Sequence, residues 1–103
     1  MPIQFSVYER RDNGDRDEMA KAALEICRIS RKTQGITSAR YYWTGDSIAF
    51  ITEGESTAIN KIATTDQKNY YRAAFILMDN TRTTLNLNLQ EPREAVQMRD
   101  DGR

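Results

Sequence analysis

The chain has 103 residues, enough for one domain with a single core. Fifteen lysine and arginine residues balance fifteen aspartate and glutamate residues, which argues against a general binder of nucleic acids or of anionic membrane surfaces. The sequence contains no histidine, so the side chain that most often serves as general base or metal ligand is missing. We therefore expect no metal site and no cofactor. The sequence also contains no catalytic motif that would assign an enzymatic activity.

The chain has one cysteine, which excludes an internal disulfide. Cys27 lies in an apolar helical stretch and is expected to be a small buried residue. No apolar run follows Met1, and no segment has the length and apolar character of a membrane span. We expect a cytoplasmic location and no membrane partner.

The first predicted element is a strand. Apolar and polar side chains alternate over residues 2–10, with Ile3, Phe5 and Val7 on one side. An alternation with a period of two is typical of a strand with one buried face.

A helix is predicted next. Asp15 and Glu18 have the spacing of a capping box, and acidic residues in the first turn suit the helix dipole. Gly35 is predicted to be the C′ residue that ends this helix. Apolar and small side chains recur at steps of three and four residues and form one stripe: Met19, Ala22, Ala23, Ile26, Cys27 and Ser30.

Residues 38–53 are predicted to form a β-hairpin. Gly45-Asp46 is a Gly-X pair between two strand-like runs, which is typical of a two-residue type II′ turn. This loop places Trp43 opposite Ile48, and opposed residues share one face of the sheet. The apolar face then carries Ala39, Tyr41, Trp43, Ile48, Phe50 and Thr52, and the mixed face carries Ser38, Arg40, Tyr42, Ala49, Ile51 and Glu53.

A short helix and a longer one are predicted after the hairpin. Thr64 and Gln67 have the spacing of a second capping box, ahead of a helix over residues 66–79. The apolar run at residues 74–78 is short, so a buried strand is the alternative there. Asn80 is predicted to stop the helix in the left-handed conformation.

The last predicted strand covers residues 83–89, where leucine alternates with threonine and asparagine. Residues 1–90 are therefore predicted to form one domain. Residues 91–103 are predicted to be a charged, mobile tail whose large apolar side chains are Val96 and Met98.

The predicted order is strand, helix, strand, strand, helix, strand. This order is typical of the ferredoxin-like α+β fold, a four-stranded antiparallel sheet with its helices on one face. We expect the helices to cover the Ile3 side of the first strand, the leucine side of the last strand and the apolar face of the hairpin. The open face would then display Gln4, Ser6, Tyr8, Arg40, Tyr42, Ala49, Ile51, Glu53, Asn86 and Asn88.

In length, element order and semi-polar open sheet face, residues 2–89 resemble the dimeric α+β barrel superfamily, in particular its antibiotic-biosynthesis-monooxygenase-like and stress-responsive barrel proteins. The resemblance implies a homodimer whose two sheets pack face to face and enclose a pocket. Haem-degrading and cyclase members generally use a histidine, which this chain lacks, and this counts against those activities. Cofactor-independent oxygenation in a pocket of Tyr, Trp, Asn and Arg side chains stays open as what the resemblance implies. No catalytic residue of the family can be matched to a position here.

The candidate ligand-binding residues are Tyr8, Arg40, Tyr42, Trp43 and Asn86. In the functional interpretation, Arg40 binds an anionic or enolate oxygen, the tyrosines donate hydrogen bonds to a planar ligand or stack on it, and Asn86 orients a carbonyl. In the structural alternative, Arg40 pairs with Glu53, and the tyrosines fill a dimer interface. Trp43 would then belong to the core or its rim.

The leading hypothesis is a homodimer that binds a small, largely apolar or aromatic molecule in a sheet-face pocket, with cofactor-independent monooxygenase activity. The alternative is a non-enzymatic oligomerisation or regulatory module. An RNA-binding domain is a third hypothesis, and we do not favour nucleic acid as a partner because the usual aromatic signature on the central strands is missing.

Overall fold

The computed structural model describes residues 2–89, so the predicted tail lies outside the described part. The strands form an antiparallel sheet in the order β2-β3-β1-β4, with the helices on one face, which confirms the ferredoxin-like α+β fold. Among the helices in residues 2–89, none is long and apolar enough to cross a membrane. The elements are β1 (Ile3–Arg10), α1 (Arg16–Lys32), β2 (Ile36–Thr44), β3 (Ser47–Gly54), α2 (Ser56–Ile59), α3 (Ile62–Thr65), α4 (Gln67–Asp79) and β4 (Thr81–Leu89).

The β2–β3 hairpin forms as predicted. Thr44 pairs with Ser47 across a two-residue loop, and Trp43 pairs with Ile48. Gly45 has a φ of 61°, the positive value that a type II′ turn needs at its first central residue. The turn therefore fixes the register of both hairpin strands.

Replacing Gly45 with alanine should lower the free energy of unfolding by about 1 kcal/mol, because a side chain disfavours positive φ. Free space surrounds this position, so backbone strain is the whole expected effect. Gly45→Asn should cost less, since asparagine is among the residues that accept positive φ in such turns. Urea unfolding of the two variants tests whether alanine destabilises the protein more than asparagine. Equal stability of both variants and the wild type would contradict the prediction.

Both ends of α1 differ in part from the prediction. Asp15 caps the helix, because its Oδ1 accepts hydrogen bonds from the backbone N–H groups of Asp17 at 2.9 Å and Glu18 at 3.1 Å. The reciprocal half of the capping box is replaced, since the Asp15 N–H donates to Asn80 Oδ1 at 2.8 Å. The predicted C′ role of Gly35 is wrong, because the helix already ends at Lys32.

The region of residues 74–78 is helical, so the strand alternative is wrong. The second capping box does not form, because Thr64 Oγ1 donates to the Lys61 carbonyl at 2.7 Å and α4 begins after Asp66. Asn80 follows α4 with a φ of −104°, outside the left-handed region, so the predicted stop conformation is also wrong. Its side chain stabilises the helix end instead, with Nδ2 donating to the Ile76 carbonyl at 2.8 Å.

The prediction of which side of β1 and of β4 the helices cover is wrong. Ser6 pairs with Phe50 of β3, and Phe50 belongs to the core beneath the helices. Ser6 also pairs with Asn86 of β4, so all three side chains share the helix-covered face. The helix-covered face therefore carries Gln4, Ser6, Tyr8, Thr84, Asn86 and Asn88, and the open face carries Ile3, Phe5, Val7, Leu85, Leu87 and Leu89.

The core lies beneath α1 and α4, over the hairpin half of the sheet. Cys27 is buried in it as predicted, and burial raises the pKa of its thiol, which stays protonated at neutral pH. The core cluster consists of Met19, Ala22, Ala23, Cys27, Ile48, Phe50, Ala73 and Leu77. On the other half of the sheet, β1 and β4 turn small and polar side chains toward the helices, so the space there is not filled.

Candidate functional site

A cavity of about 570 Å³ lies between the sheet and the helices. Its sheet wall is polar and includes Gln4, Ser6, Tyr8, Thr52, Thr84 and Asn86. Its helix wall is largely apolar and includes Ile26, Ile59, Ile62, Ala74, Leu77 and Met78. The cavity therefore offers hydrogen-bonding groups on one side and an apolar surface on the other.

Two tyrosines from different elements line this cavity. The ring of Tyr8 packs edge-on against Phe50, with ring centroids 5.5 Å apart. The ring of Tyr70 packs edge-on against Tyr71, with centroids 5.7 Å apart. Within residues 2–89 neither hydroxyl has a hydrogen-bond partner, so both remain available to a ligand.

Burial raises the pKa of Tyr8, and the neighbouring Tyr70 raises it further. Burial also raises the pKa of Tyr70, with a smaller contribution from Tyr71. Because an unperturbed tyrosine already titrates near pH 10, both hydroxyls stay protonated at neutral pH. They can donate hydrogen bonds there but cannot act as general bases.

The described lining of the cavity is neutral. It contains no aspartate, glutamate, lysine or arginine, and its polar groups are hydroxyls and amides such as those of Asn60 and Asn86. Across residues 2–89 there is no group of three or more histidine, cysteine, aspartate or glutamate side chains that could hold a metal ion. This arrangement suits recognition by hydrogen bonding and packing, with the reactive group supplied by the ligand.

No protein-family model matches the chain, and no curated protein matches it by sequence. Solved structures match most of its length. Rv0793 from Mycobacterium tuberculosis superposes with a TM-score of 0.75 at 15% identity, covering 92% of this chain and 99% of that chain. An antibiotic biosynthesis monooxygenase gives a TM-score of 0.76 at 11% identity, covering 89% and 99%. SnoaB, a cofactor-independent oxygenase from Streptomyces nogalater, gives 0.72 at 11% identity, covering 89% and 94%.

The chain has the antibiotic biosynthesis monooxygenase fold. The resemblance seen in the sequence is thereby confirmed at the level of the fold. Identities of 11–15% assign no function to individual residues, so the site must be argued from this chain's own geometry.

The antibiotic biosynthesis monooxygenase fold brings two of the five candidate residues together. Tyr8 and Asn86 lie on adjacent strands and both line the cavity. Trp43 lies outside the cavity lining, where it packs beside the core with the guanidinium of Arg16 3.8 Å above its ring. That placement agrees with the structural alternative for this residue.

Arg40 and Tyr42 lie on the opposite, open face of the sheet. Arg40 pairs in register with Ile51, whose side chain shares that face. The predicted ion pair between Arg40 and Glu53 does not form within residues 2–89, where the Glu53 carboxylate instead accepts a hydrogen bond from Ser38 Oγ at 3.0 Å. The described structure therefore separates these two candidates from Tyr8 and Asn86.

The helix wall supplies the residues that the sequence analysis missed, above all Tyr70 and Asn60. For Tyr70 a signal was present, because Tyr70, Ala74 and Leu77 have the spacing of one helix face. Asn60 follows the four-residue helix α2, and such a short helix has no periodicity that would orient it. Its position in the cavity follows from tertiary packing.

Proposed function

We propose that the chain is a homodimeric, cofactor-independent monooxygenase that binds a small, planar, largely apolar molecule in the cavity between the sheet and the helices. The observation that carries this proposal is the neutral, two-sided cavity, in which the hydroxyls of Tyr8 and Tyr70 have no hydrogen-bond partner among residues 2–89. The fold shared with SnoaB, a cofactor-independent oxygenase, supports the same class of activity.

The sheet wall and the helix wall of the cavity indicate which kind of ligand it fits. A planar ring system can pack on the apolar helix wall while hydroxyl or carbonyl groups along its edge reach the sheet wall. The volume of about 570 Å³ falls within the usual range for small-molecule sites, roughly 300–1,000 Å³. Asn86 and Gln4 offer amide groups that can donate to a carbonyl or accept from a hydroxyl.

The chemistry must begin on the substrate, because the described lining holds no general base at neutral pH. A phenol or enol that ionises readily can transfer electrons to dioxygen. One oxygen atom then enters the substrate carbon and the other leaves as water, while the phenol is oxidised to a quinone. The substrate supplies all the electrons for this step. Tyr8 and Tyr70 would position it and donate hydrogen bonds to the developing oxyanion.

The proposed dimer rests on the open face of the sheet. Leu85, Leu87 and Leu89 are exposed there beside the apolar side chains of β1. A second copy of the chain would remove this contiguous apolar surface from water. A non-enzymatic oligomerisation module is the alternative function, since this same face would support it without any ligand.

Removing either cavity hydroxyl should weaken ligand binding by about two- to tenfold, since one hydrogen bond contributes roughly 0.5–1.5 kcal/mol. The variants are Tyr8→Phe and Tyr70→Phe, and the measurement is equilibrium dialysis with a panel of hydroxylated naphthalenes and anthracenes. Tyr41→Phe is the matched control, because Tyr41 lies outside the cavity lining. For a ligand that does not ionise, affinity should stay constant between about pH 6 and 9, because both hydroxyls remain protonated.

Measuring oxygen consumption with the ligands that bind would then distinguish the monooxygenase from the non-enzymatic oligomerisation module. Consumption of one dioxygen per product, unchanged by a chelator, supports the monooxygenase. If no member of the panel binds while the dimer is intact, the alternative module is favoured. Equal affinity of the wild type and both cavity variants would show that the ligand binds elsewhere.

A further inference from the structure

Met78 of α4 lines the cavity and is exposed to solvent at the same time. It is 58% exposed, the largest exposed fraction among the apolar residues of the described lining. Leu77, the residue before it, also lines the cavity and is completely buried. Met78 therefore lies between the cavity and solvent, whereas Leu77 belongs to the interior.

The end of the cavity next to Met78 is the one where α4 passes into β4. Asn80 alone joins the two elements, so the last turn of α4 lies close to the first residues of β4. Thr84 lines the cavity from this part of β4, and Tyr8 lines it from the paired position on β1. Met78, Tyr8 and Thr84 therefore bound the same end of the cavity.

A shallow recess runs along the cavity side of α4. Tyr70, Ala74 and Met78 follow at steps of four residues, so they lie on one side of the helix, and all three line the cavity. Eight residues of helix separate Tyr70 from Met78, a rise of about 12 Å. Because Ala74 between them carries only a methyl group, a flat ligand can lie against it and is limited in length by the two larger side chains.

We propose that Met78 is a specificity-determining residue of the cavity, because its side chain limits how many fused rings a planar ligand can have. This role rests on the proposed function, since it concerns a ligand of the same cavity. Hydrogen bonds from Tyr8 and Tyr70 would select the polar edge of the ligand, and Met78 would select its length.

The two ends of the recess differ in how well they can adjust to a ligand. The ring of Tyr70 is half-buried and packs edge-on against Tyr71, with centroids 5.7 Å apart, which restricts its movement. The unbranched thioether of Met78 has three rotatable bonds and makes favourable contacts with aromatic rings. We therefore expect ligand length to be set at the Met78 end.

The exposure of Met78 also makes its role testable. A substitution at a position that is 58% exposed leaves little new empty space in the core, so the free energy of unfolding should change little. The shape of the cavity can then be changed while the fold is retained.

The test compares a two-ring probe, 2-naphthol, with a three-ring probe, 2-hydroxyanthracene, in the full chain. Equilibrium dialysis at pH 7 gives the dissociation constant of each probe, and the ratio of the two constants is the readout. Met78→Ala should shift this ratio about tenfold in favour of 2-hydroxyanthracene, because the recess becomes longer. Met78→Trp should shift it about tenfold in favour of 2-naphthol, because the recess becomes shorter.

Two further variants serve as matched controls. Met78→Leu nearly conserves the side-chain volume and should leave the ratio close to that of the wild type. Phe75→Ala removes an apolar side chain of similar exposure, 62%, from the same helix. Because Phe75 lies outside the described lining of the cavity, its removal should leave the ratio unchanged. Circular dichroism checks that each variant is folded.

The outcomes distinguish the role of Met78 from the proposed function itself. If both probes bind the wild type and the ratio is the same in Met78→Ala and Met78→Trp, Met78 does not limit ring number, while the cavity remains the binding site. An equal shift in Phe75→Ala would also contradict the role of Met78, since any loss of apolar surface from α4 would then have the same effect. If neither probe binds the wild type, the proposed ligand class is wrong and the role of Met78 is rejected with it.

Discussion

Replacing Asn80 with alanine should lower the free energy of unfolding by about 3 kcal/mol, since buried polar groups left without partners cost roughly 1–3 kcal/mol each. Asn80 is only 5% exposed. Its Oδ1 accepts from the Asp15 N–H at 2.8 Å, and its Nδ2 donates to the Ile76 carbonyl at 2.8 Å and to Glu18 Oε1 at 3.3 Å. Alanine would leave the start of α1 and the end of α4 without these bonds.

Equilibrium unfolding in urea measures this loss, as a shift in midpoint at an unchanged slope. Asn88→Ala is the matched control, because Asn88 is exposed on β4, and its replacement should change stability by less than about 0.5 kcal/mol. A loss below about 1 kcal/mol for Asn80→Ala would mean that water replaces the missing side chain, as it can in a polar site.

Features set by neighbouring residues could be predicted from the sequence. The register of the hairpin follows from Gly45-Asp46, and the start of α1 follows from Asp15, because each signal lies within a few residues of the structure it determines. Asn80 shows the limit of such reasoning. Its partner Asp15 lies 65 positions earlier in the chain, so its role became visible only in the folded structure.

The sides of β1 and β4 could not be predicted in the same way. Alternation shows which residues share a face but does not show which face the helices cover. The prediction placed the apolar side of each strand beneath the helices, whereas both strands place it on the open face. The pairing of Ser6 with both Phe50 and Asn86 shows that the polar sides of β1 and β4 face the helices, and only the assembled sheet contains both pairs.

This inversion explains why the structure divides the candidate ligand-binding residues of the sheet between its two faces. Tyr8 and Asn86 were grouped with Arg40 and Tyr42 because all four were assigned to the open face. The faces of the hairpin were correct, so Arg40 and Tyr42 are on that face. The faces of β1 and β4 were reversed, and this moved Tyr8 and Asn86 together into the cavity beneath the helices.

The reversal also strengthens the case for a dimer, because the open face is more apolar than predicted. Leu87 lies on the edge strand β4, paired with Phe5 on the neighbouring strand. In a dimer with two-fold symmetry any substitution on this face appears twice, and a buried carboxylate without a partner costs several kcal/mol. Leu87→Asp should therefore weaken association by more than about a hundredfold.

Light scattering over a dilution series measures the effect, with the wild type expected at twice the chain mass of 11.9 kDa and Leu87→Asp at the chain mass itself. Asn88→Asp introduces the same charge one residue later, on the opposite face of the same strand, and should leave the dimer intact. If Leu87→Asp stays dimeric, the open face is not the interface. If the wild type is already a monomer at micromolar concentration, the homodimer itself is wrong. Neither result would argue against the cavity, since residues 2–89 of a single chain form it.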